Sequence, residues 1–166
     1  MSKIILSVLM ENQPGALSRV IGVFSQRAFN IESLSVAPTD DKTLSRLTIT
    51  TNGDAQILEQ IEKQLNKLID VLKISEVTDG EHVEREIMLV KLKAKSLSDR
   101  SEIKRTVDIF RGQIVDVTKS LYMVQLVGTS DKLDAFLNAI VDATDIVEVV
   151  RSGIVGLARS DRILHY

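Results

Sequence analysis

Side chains that could do chemistry are few in this sequence, and spacing removes most of them. The two histidines are His82 and His165. Neither stands in a His, Cys and carboxylate cluster at metal-ligand spacing. Both read as exposed, His82 in a polar stretch and His165 one residue from the end. There is no Cys, so thiol nucleophiles and disulfides are excluded. Gly-rich phosphate loops and a Gly-x-Ser-x-Gly elbow are also absent from the sequence. Acids gather at Asp40-Asp41 and at Glu81, Glu84 and Glu86. A catalytic pair needs two carboxylates whose surroundings push their pKa values apart. These acids lie in polar stretches and read as a solvated hairpin end and a linker.

One segment has the makings of a binding site, Asn12-Gln13-Pro14-Gly15-Ala16-Leu17-Ser18-Arg19. Pro14 then Gly15 suits the two central positions of a type II turn, because Pro fixes φ and Gly accepts positive φ. The turn delivers the chain to a helix, whose first N–H groups lack partners and carry partial positive charge. A carboxylate is the natural guest there. Gly15 lets a ligand approach the backbone closely. Asn12 offers both donor and acceptor to the ammonium or carboxylate of an amino acid. The same residues also satisfy a plainer reading, in which Pro14-Gly15 is only a turn and Asn12 only a cap. Asn30 has two readings as well: a left-handed helix C-cap, or a polar arm reaching a neighbouring subunit's ligand.

Hydrophobic periodicity gives the elements that must position these residues. Residues 4–10 are an apolar, β-branched run, a buried strand. Leu17, Val20, Ile21, Phe24 and Ala28 recur at helical spacing. Residues 31–37 and 44–51 read as strands around a turn, with Leu47 and Ile49 alternating against Arg46, Thr48 and Thr50. Asp54 is placed to N-cap a second helical stripe of Ile57, Leu58, Ile61, Leu65 and Leu68. Residues 70–77 return as a strand. This order is the split βαβ of ferredoxin-like folds.

After the polar stretch 78–85 the pattern repeats. Residues 86–95 read as a strand and 99–110 as a helix stopped by Gly112. Residues 114–118 and 121–128 pair as strands. Residues 131–141 form a helix capped near Asp131, with Leu133, Phe136, Leu137, Ile140 and Val141 inward. Residues 146–150 close the set before a tail with Gly153, Gly156 and Arg159. The expected fold is α+β, two tandem ferredoxin-like βαββαβ domains at 1–78 and 79–166. Each half is near the lower size limit for a stable core, which favours packing on a partner.

Bulk properties narrow the function classes. Net charge is -2 over 166 residues, and neither half is basic, so nucleic acid and anionic membranes are not expected partners. Ferredoxin-like sheets can bind RNA through aromatic side chains. Aromatics are only 4% here, and Tyr122 is nearly alone on the expected strands. No apolar run approaches the roughly 18 residues of a membrane helix. Glu11 and Asn12 interrupt the N-terminal run before it could serve as a signal peptide. A cytoplasmic protein is expected.

Longer blocks carry a resemblance. Residues 5–20, Ile-Leu-Ser-Val-Leu-Met-Glu-Asn-Gln-Pro-Gly-Ala-Leu-Ser-Arg-Val, resemble the opening of an ACT domain, a small-molecule-sensing module. Phe29-Asn30-Ile31-Glu32-Ser33-Leu34, Val36-Ala37-Pro38-Thr39-Asp40, Gln60-Ile61-Glu62-Lys63-Gln64-Leu65 and Glu84-Arg85-Glu86-Ile87-Met88-Leu89-Val90-Lys91 are more narrowly similar to the small subunits of acetolactate (acetohydroxyacid) synthase. Phe110-Arg111-Gly112 followed by Ile114-Val115-Asp116-Val117 is similar too. Phe29 stands where many relatives carry Tyr, a conservative departure.

The resemblance implies that residues 1–78 are an ACT domain that binds effector and dimerises, followed by the C-terminal domain typical of these small subunits. It implies a non-catalytic regulatory subunit of branched-chain amino acid biosynthesis. Such a chain activates a separate catalytic large subunit and confers feedback inhibition by valine or a related amino acid. The effector would bind between two paired ACT domains. Asn12, Gly15, Ala16 and Leu17 would come from one chain, with Asn30 and Ile31 from the other. Leu17 and Ile31 would be apolar walls. Ala37 would limit pocket size or simply be a small strand residue, and Gln60 would be a surface or coupling residue. Thiamine diphosphate, magnesium and FAD would belong to the large subunit, which condenses two pyruvates into acetolactate, and none to this chain. Two other classes compete, a nucleic-acid binder and an independent enzyme with an ACT half. Balanced charge weighs against the first and the lack of catalytic residues in the second half against the other.

Overall fold

The computed structural model describes residues 2–164, so His165 lies outside the described residues. The chain forms two compact units. One is the chain up to Glu84 together with the segment from Ile154 onward, and the other is Arg85–Gly153.

The first unit runs β1 (Ser2–Glu11), α1 (Ala16–Gln26), β2 (Ser33–Pro38), β3 (Leu44–Gly53), α2 (Ala55–Asn66) and β4 (Val71–Glu76). Its antiparallel sheet has the order β2-β3-β1-β4. β1 is central and pairs along its whole length with β3, from Ser2 opposite Gly53 to Glu11 opposite Leu44. Side chains alternate faces along a strand. Ile4, Leu6, Val8 and Met10 of β1 therefore join Leu47 and Ile49 of β3 beneath the helices. α1 buries Ala16, Val20 and Phe24 on them, and α2 buries Ile61 and Leu65. Asp54 is the N-cap of α2, its carboxylate accepting from Ile57 N–H at 2.9 Å.

The opposite face of this sheet departs from the expected alternation of buried and exposed residues. Ser7, Thr48 and Thr50 are buried there. Two of these hydroxyls have partners that make burial tolerable: Arg46 Nε donates to Ser7 Oγ at 2.6 Å, and Ser33 Oγ to Thr50 Oγ1 at 3.0 Å.

The second unit repeats the topology with β5 (His82–Lys93), whose first residues up to Glu84 belong to the first unit, α3 (Leu97–Ile109), β6 (Gln113–Val117), β7 (Leu121–Gly128), α4 (Ser130–Ile140) and β8 (Ile146–Arg151). The order β6-β7-β5-β8 is the same permutation as in the first unit. Met88, Val90 and Leu92 pack with Val124 and Leu126 under Ile103, Val107, Leu133, Phe136 and Ile140. α4 is capped by Thr129, whose side chain accepts from Lys132 N–H, rather than by Asp131. Val141, expected inward, is 54% exposed, because α4 ends at Ile140 and the face it would have shared ends with it.

Two features of the structure lie across the expected division at residues 78 and 79. β5 already begins at His82, inside the stretch that reads as linker. The tail rejoins the first unit as β9 (Val155–Ala158), which pairs with the start of β5, where Arg159 N–H donates to Glu81 C=O at 3.0 Å. Ile154 packs with Ile5 and Val77 in a small separate core. Arg162 donates to the carbonyls of Val77 and Asp79. The break between the units, after Glu84, falls inside the polar stretch 78–85, and apolar contacts of Ile154 bring the tail back to the first unit.

Candidate functional site

The turn before α1 has the geometry its sequence suggests. Gly15 adopts φ 82° and ψ -9°, the left-handed conformation of the third residue in a type II turn. Ala16 N–H donates back to Gln13 C=O at 3.1 Å, closing the turn, and Arg19 N–H begins the helix by donating to Gly15 C=O at 3.1 Å. No side chain caps α1. The N–H groups of Leu17 and Ser18 consequently have no acceptor among the described residues. With the helix dipole behind them, unpartnered N–H groups of this kind favour a negative charge.

Asn12 is fixed beside this turn by the β2–β3 hairpin end. Its main-chain N–H donates to Thr43 C=O at 2.8 Å, and Nδ2 donates to Lys42 C=O at 3.1 Å. One donor is thus spent on the fold, and Oδ1 has no donor among the described residues. The hairpin end is itself ordered by Asp41, which accepts from Thr43 Oγ1 at 2.6 Å and Thr43 N–H at 2.9 Å. Those bonds hold the Asp41 carboxyl below its ordinary range. Asp41 therefore organises a loop, in keeping with the hairpin-end reading.

Asn30 and Ile31 lie elsewhere. α1 ends at Gln26, and the left-handed residue that follows is Ala28, with φ 58°, so Asn30 is not the left-handed cap. Ala28, expected inward, is exposed for the same reason. Thr51 Oγ1 donates to Asn30 C=O, which leaves the Asn30 side chain at the surface. Ile31 and Leu17 are half-buried against the first core, each with part of its surface uncovered. Ala37 is exposed near the end of β2, opposite Arg46. Gln60 is exposed on α2.

Asn12, Gly15, Ala16, Leu17 and Ala37 therefore gather at one end of the sheet, where β1 and β2 finish and β3 begins. Asn30 and Ile31 sit at the other end, across the 11 residues of α1. A helix of that length spans about 16 Å. Within one chain the two groups do not meet.

Motif spacing gives no sign of one contact at this site. Arg19 Nε donates to Asp70 Oδ2 at 2.6 Å, and Asp70 is 5% exposed. That hydrogen bond raises the already high pKa of the guanidinium. Arg19 closes the segment quoted from the sequence and Asp70 leads β4, but nothing in a pattern links residues so far apart.

Two other charged groups prove structural. His82, read as exposed linker, has a side chain 20% exposed in β5, within 2.9 Å of Glu84 and 3.2 Å of Gly80 C=O. Glu86, also read as linker, is 6% exposed. It accepts from Arg151, from Ser130 Oγ at 3.1 Å and from Gly153 N–H at 3.2 Å, so all its bonding capacity holds the second unit together. Among the described residues no group of three or more His, Cys, Asp and Glu could hold a metal ion. No helix among them is long and apolar enough to cross a membrane.

Comparison with known proteins now decides the family. The family described as "AHAS small subunit-like ACT domain" matches residues 6–73, and "Small subunit of acetolactate synthase" matches residues 85–160. The acetolactate synthase isozyme 3 small subunit of Salmonella typhimurium is 68% identical over 160 residues, 96% of this chain and 98% of its own length. The chain belongs to the small-subunit family of acetolactate synthase. The acetolactate synthase small subunit of Haemophilus influenzae is 62% identical, over 95% of this chain and 96% of its own length. The crystal structure of the Thermotoga maritima acetolactate synthase small subunit superposes with a TM-score of 0.89 at 35% identity, covering 98% of this chain and 100% of that one. The chain is thus a small, regulatory subunit with an ACT-type first unit, and membership implies a catalytic large subunit as partner.

Proposed function

We propose that this chain senses a branched-chain amino acid, valine first among them, and transmits its presence to a large subunit as feedback inhibition. The observation that carries the reading is the separation of Gly15 from Asn30 within one chain, combined with the position of β2. β2 is an edge strand of its sheet. A second copy pairing there about a two-fold axis would run antiparallel to it. The start of one β2 then lies beside the end of the other. Asn30 and Ile31 of one copy would meet Asn12, Gly15, Ala16, Leu17 and Ala37 of its partner.

Each group then has a task suited to it. The effector carboxylate docks on the N–H groups of Leu17 and Ser18. The Oδ1 atoms of Asn12 and Asn30 receive the ammonium. Leu17 and Ile31 enclose the branched side chain, with Ala37 leaving room for it. The pairing also supplies the partner that a small core favours.

In the complex, this chain raises the activity of a large subunit that condenses two pyruvates into acetolactate with release of carbon dioxide. Thiamine diphosphate, magnesium and FAD reside in that subunit, and this chain supplies none of the chemistry. Inhibition requires the effector to bind two states of the complex unequally. A coupling of about 1–3 kcal/mol is typical and reciprocal for binding.

Gly15→Asp tests the site. It puts a carboxylate where the effector's own would lie and a Cβ on a residue with φ 82°. Calorimetry on the full chain should record valine binding to the wild type and none to the variant, while size exclusion still shows a complex with a large subunit. Undiminished binding by the variant would remove the site from this turn.

A further inference from the structure

Arg19 does more than close a motif. Its guanidinium reaches back over the turn that starts its own helix. A Cβ added to Gly15 would stand 2.8 Å from Arg19 Nη1, so this group lies directly against the glycine. Nη2 lies 3.4 Å from Pro14 C=O as donor, and Nε donates to Asp70 at 2.6 Å. Asp70 is held in turn, since its carbonyl accepts from Glu11 N–H at 2.9 Å, at the last residue of β1. One buried acid therefore touches both sides of the β1–α1 turn, the strand end through its main chain and the helix through Arg19. Gly15 fits this arrangement twice, through its positive φ and through the space taken by the guanidinium.

We infer that Arg19 and Asp70 form a clamp that sets the Gln13–Ala16 turn and thereby tunes the affinity of the site at Leu17 and Ser18 for an amino acid carboxylate. The affinity half of this inference rests on the sensing role proposed above, and the ordering of the turn does not. Arg19 and Asp70 are positioning residues. A fixed turn keeps the two N–H groups aimed at one point, so the ligand need not order the loop when it binds. Only a guanidinium can bond Asp70 through Nε while its other nitrogens rest on Pro14 and Gly15. A lysine ammonium reaches one of these at a time.

The test uses the full-length chain with valine. Calorimetry gives the affinity, and amide hydrogen exchange reads the protection of Ala16 and Arg19, whose N–H groups close the turn and begin the helix. Arg19→Gln should weaken valine binding about tenfold and speed exchange at both amides. Asp70→Asn should do the same. The double variant should be no worse than either single one, because the two residues act as one unit. Arg19→Lys should fall between wild type and Arg19→Gln, and it serves as the folded control should Arg19→Gln prove unstable. Wild-type affinity and exchange in Arg19→Gln would overturn the clamp, as would fully additive losses in the double variant. If the wild type binds no branched-chain amino acid, the sensing role falls, and exchange at Ala16 and Arg19 still decides whether the clamp exists.

Discussion

The two units share a topology and a strand permutation, yet their first helices begin in opposite ways. α3 is sealed by a capping box. Ser96 Oγ accepts from Asp99 N–H at 3.0 Å, and the Asp99 carboxylate accepts from Ser96 N–H at 3.5 Å. α1 starts at a left-handed glycine with no side-chain cap. Both helices carry an arginine four residues after the N-cap. Arg100 donates to the carbonyls of Ala94 at 2.8 Å and Lys119 at 2.7 Å, whereas Arg19 goes to buried Asp70. The acid leading the last strand of the second unit, Asp145, is instead an exposed partner of Lys93 at 3.4 Å. One fold thus presents a closed helix start and an open one. A cap of the first kind stabilises a helix by about 0.5–2 kcal/mol. Its absence from α1 leaves the N–H groups of Leu17 and Ser18 free for the carboxylate in the proposed site.

The largest expected effect tests whether the two units have comparable cores. Phe24 meets Phe29 edge-on at 6.2 Å, and Phe136 meets Phe110 edge-on at 5.5 Å. Both Phe24 and Phe136 are fully buried. Phe24→Ala and Phe136→Ala should each cost about 3–5 kcal/mol in denaturant unfolding. A loss below about 1 kcal/mol at either would mean that its unit does not rest on that cluster.

Next in size, Gly15→Asn should disturb the open start. Asn tolerates left-handed geometry better than most residues, but its Cβ would stand 2.8 Å from Arg19 Nη1 and crowd the guanidinium off the turn. Valine affinity, followed by calorimetry, should fall about a hundredfold with the protein still folded. Unchanged affinity would place the carboxylate elsewhere. The converse change is smaller. Ser96→Ala should lower stability by about 1 kcal/mol and leave valine affinity alone. An altered affinity would erase the distinction between the two helix starts.

The smallest effect concerns Glu84. Burial alone would raise its carboxyl, but hydrogen bonds from Lys3 and His82 outweigh it and hold it below the ordinary value of 4.5. A depressed folded-state pKa gives stability that is present above the unfolded value and is lost as pH falls through the folded one. Glu84→Gln should therefore flatten the acid limb of the stability curve, with a change of about 0.2–1 kcal/mol near neutral pH. An acid limb as steep as the wild type's would assign that loss to other groups.

What was legible in the sequence was local. Helical stripes such as Leu17, Val20 and Phe24, the alternation in β3, the Asp54 cap and the Gly15 turn each depend on residues within a few positions of one another. The open start of α1 was less legible, because Asn12 also read as a cap, and the structure shows that the N-cap is Gly15 with no capping side chain. What escaped was nonlocal. Arg19 and Asp70 are 51 residues apart, and Glu86 and Arg151 are 65 apart. Glu86 reads as solvated among its charged neighbours, and only the arrival of Arg151 and Ser130 makes its burial tolerable. β9 was unreadable because it is 4 residues long and contains Gly156, so it carries almost no periodic signal. Thr48 and Thr50 read as an exposed face because hydroxyls usually mark one. Ser33 opposite Thr50, and Ser7 opposite Thr48, become visible as their neighbours only once the strands are in register.

An amide-resolved titration of the full chain with valine and with valinamide bears most directly on carboxylate docking. Valine should shift the Leu17 and Ser18 N–H resonances strongly and saturably. Valinamide, which keeps the side chain and ammonium but lacks the carboxylate, should leave them nearly unmoved. Equal shifts from both ligands, or valine shifts that saturate only at residues away from the start of α1, would contradict a carboxylate held by those two groups.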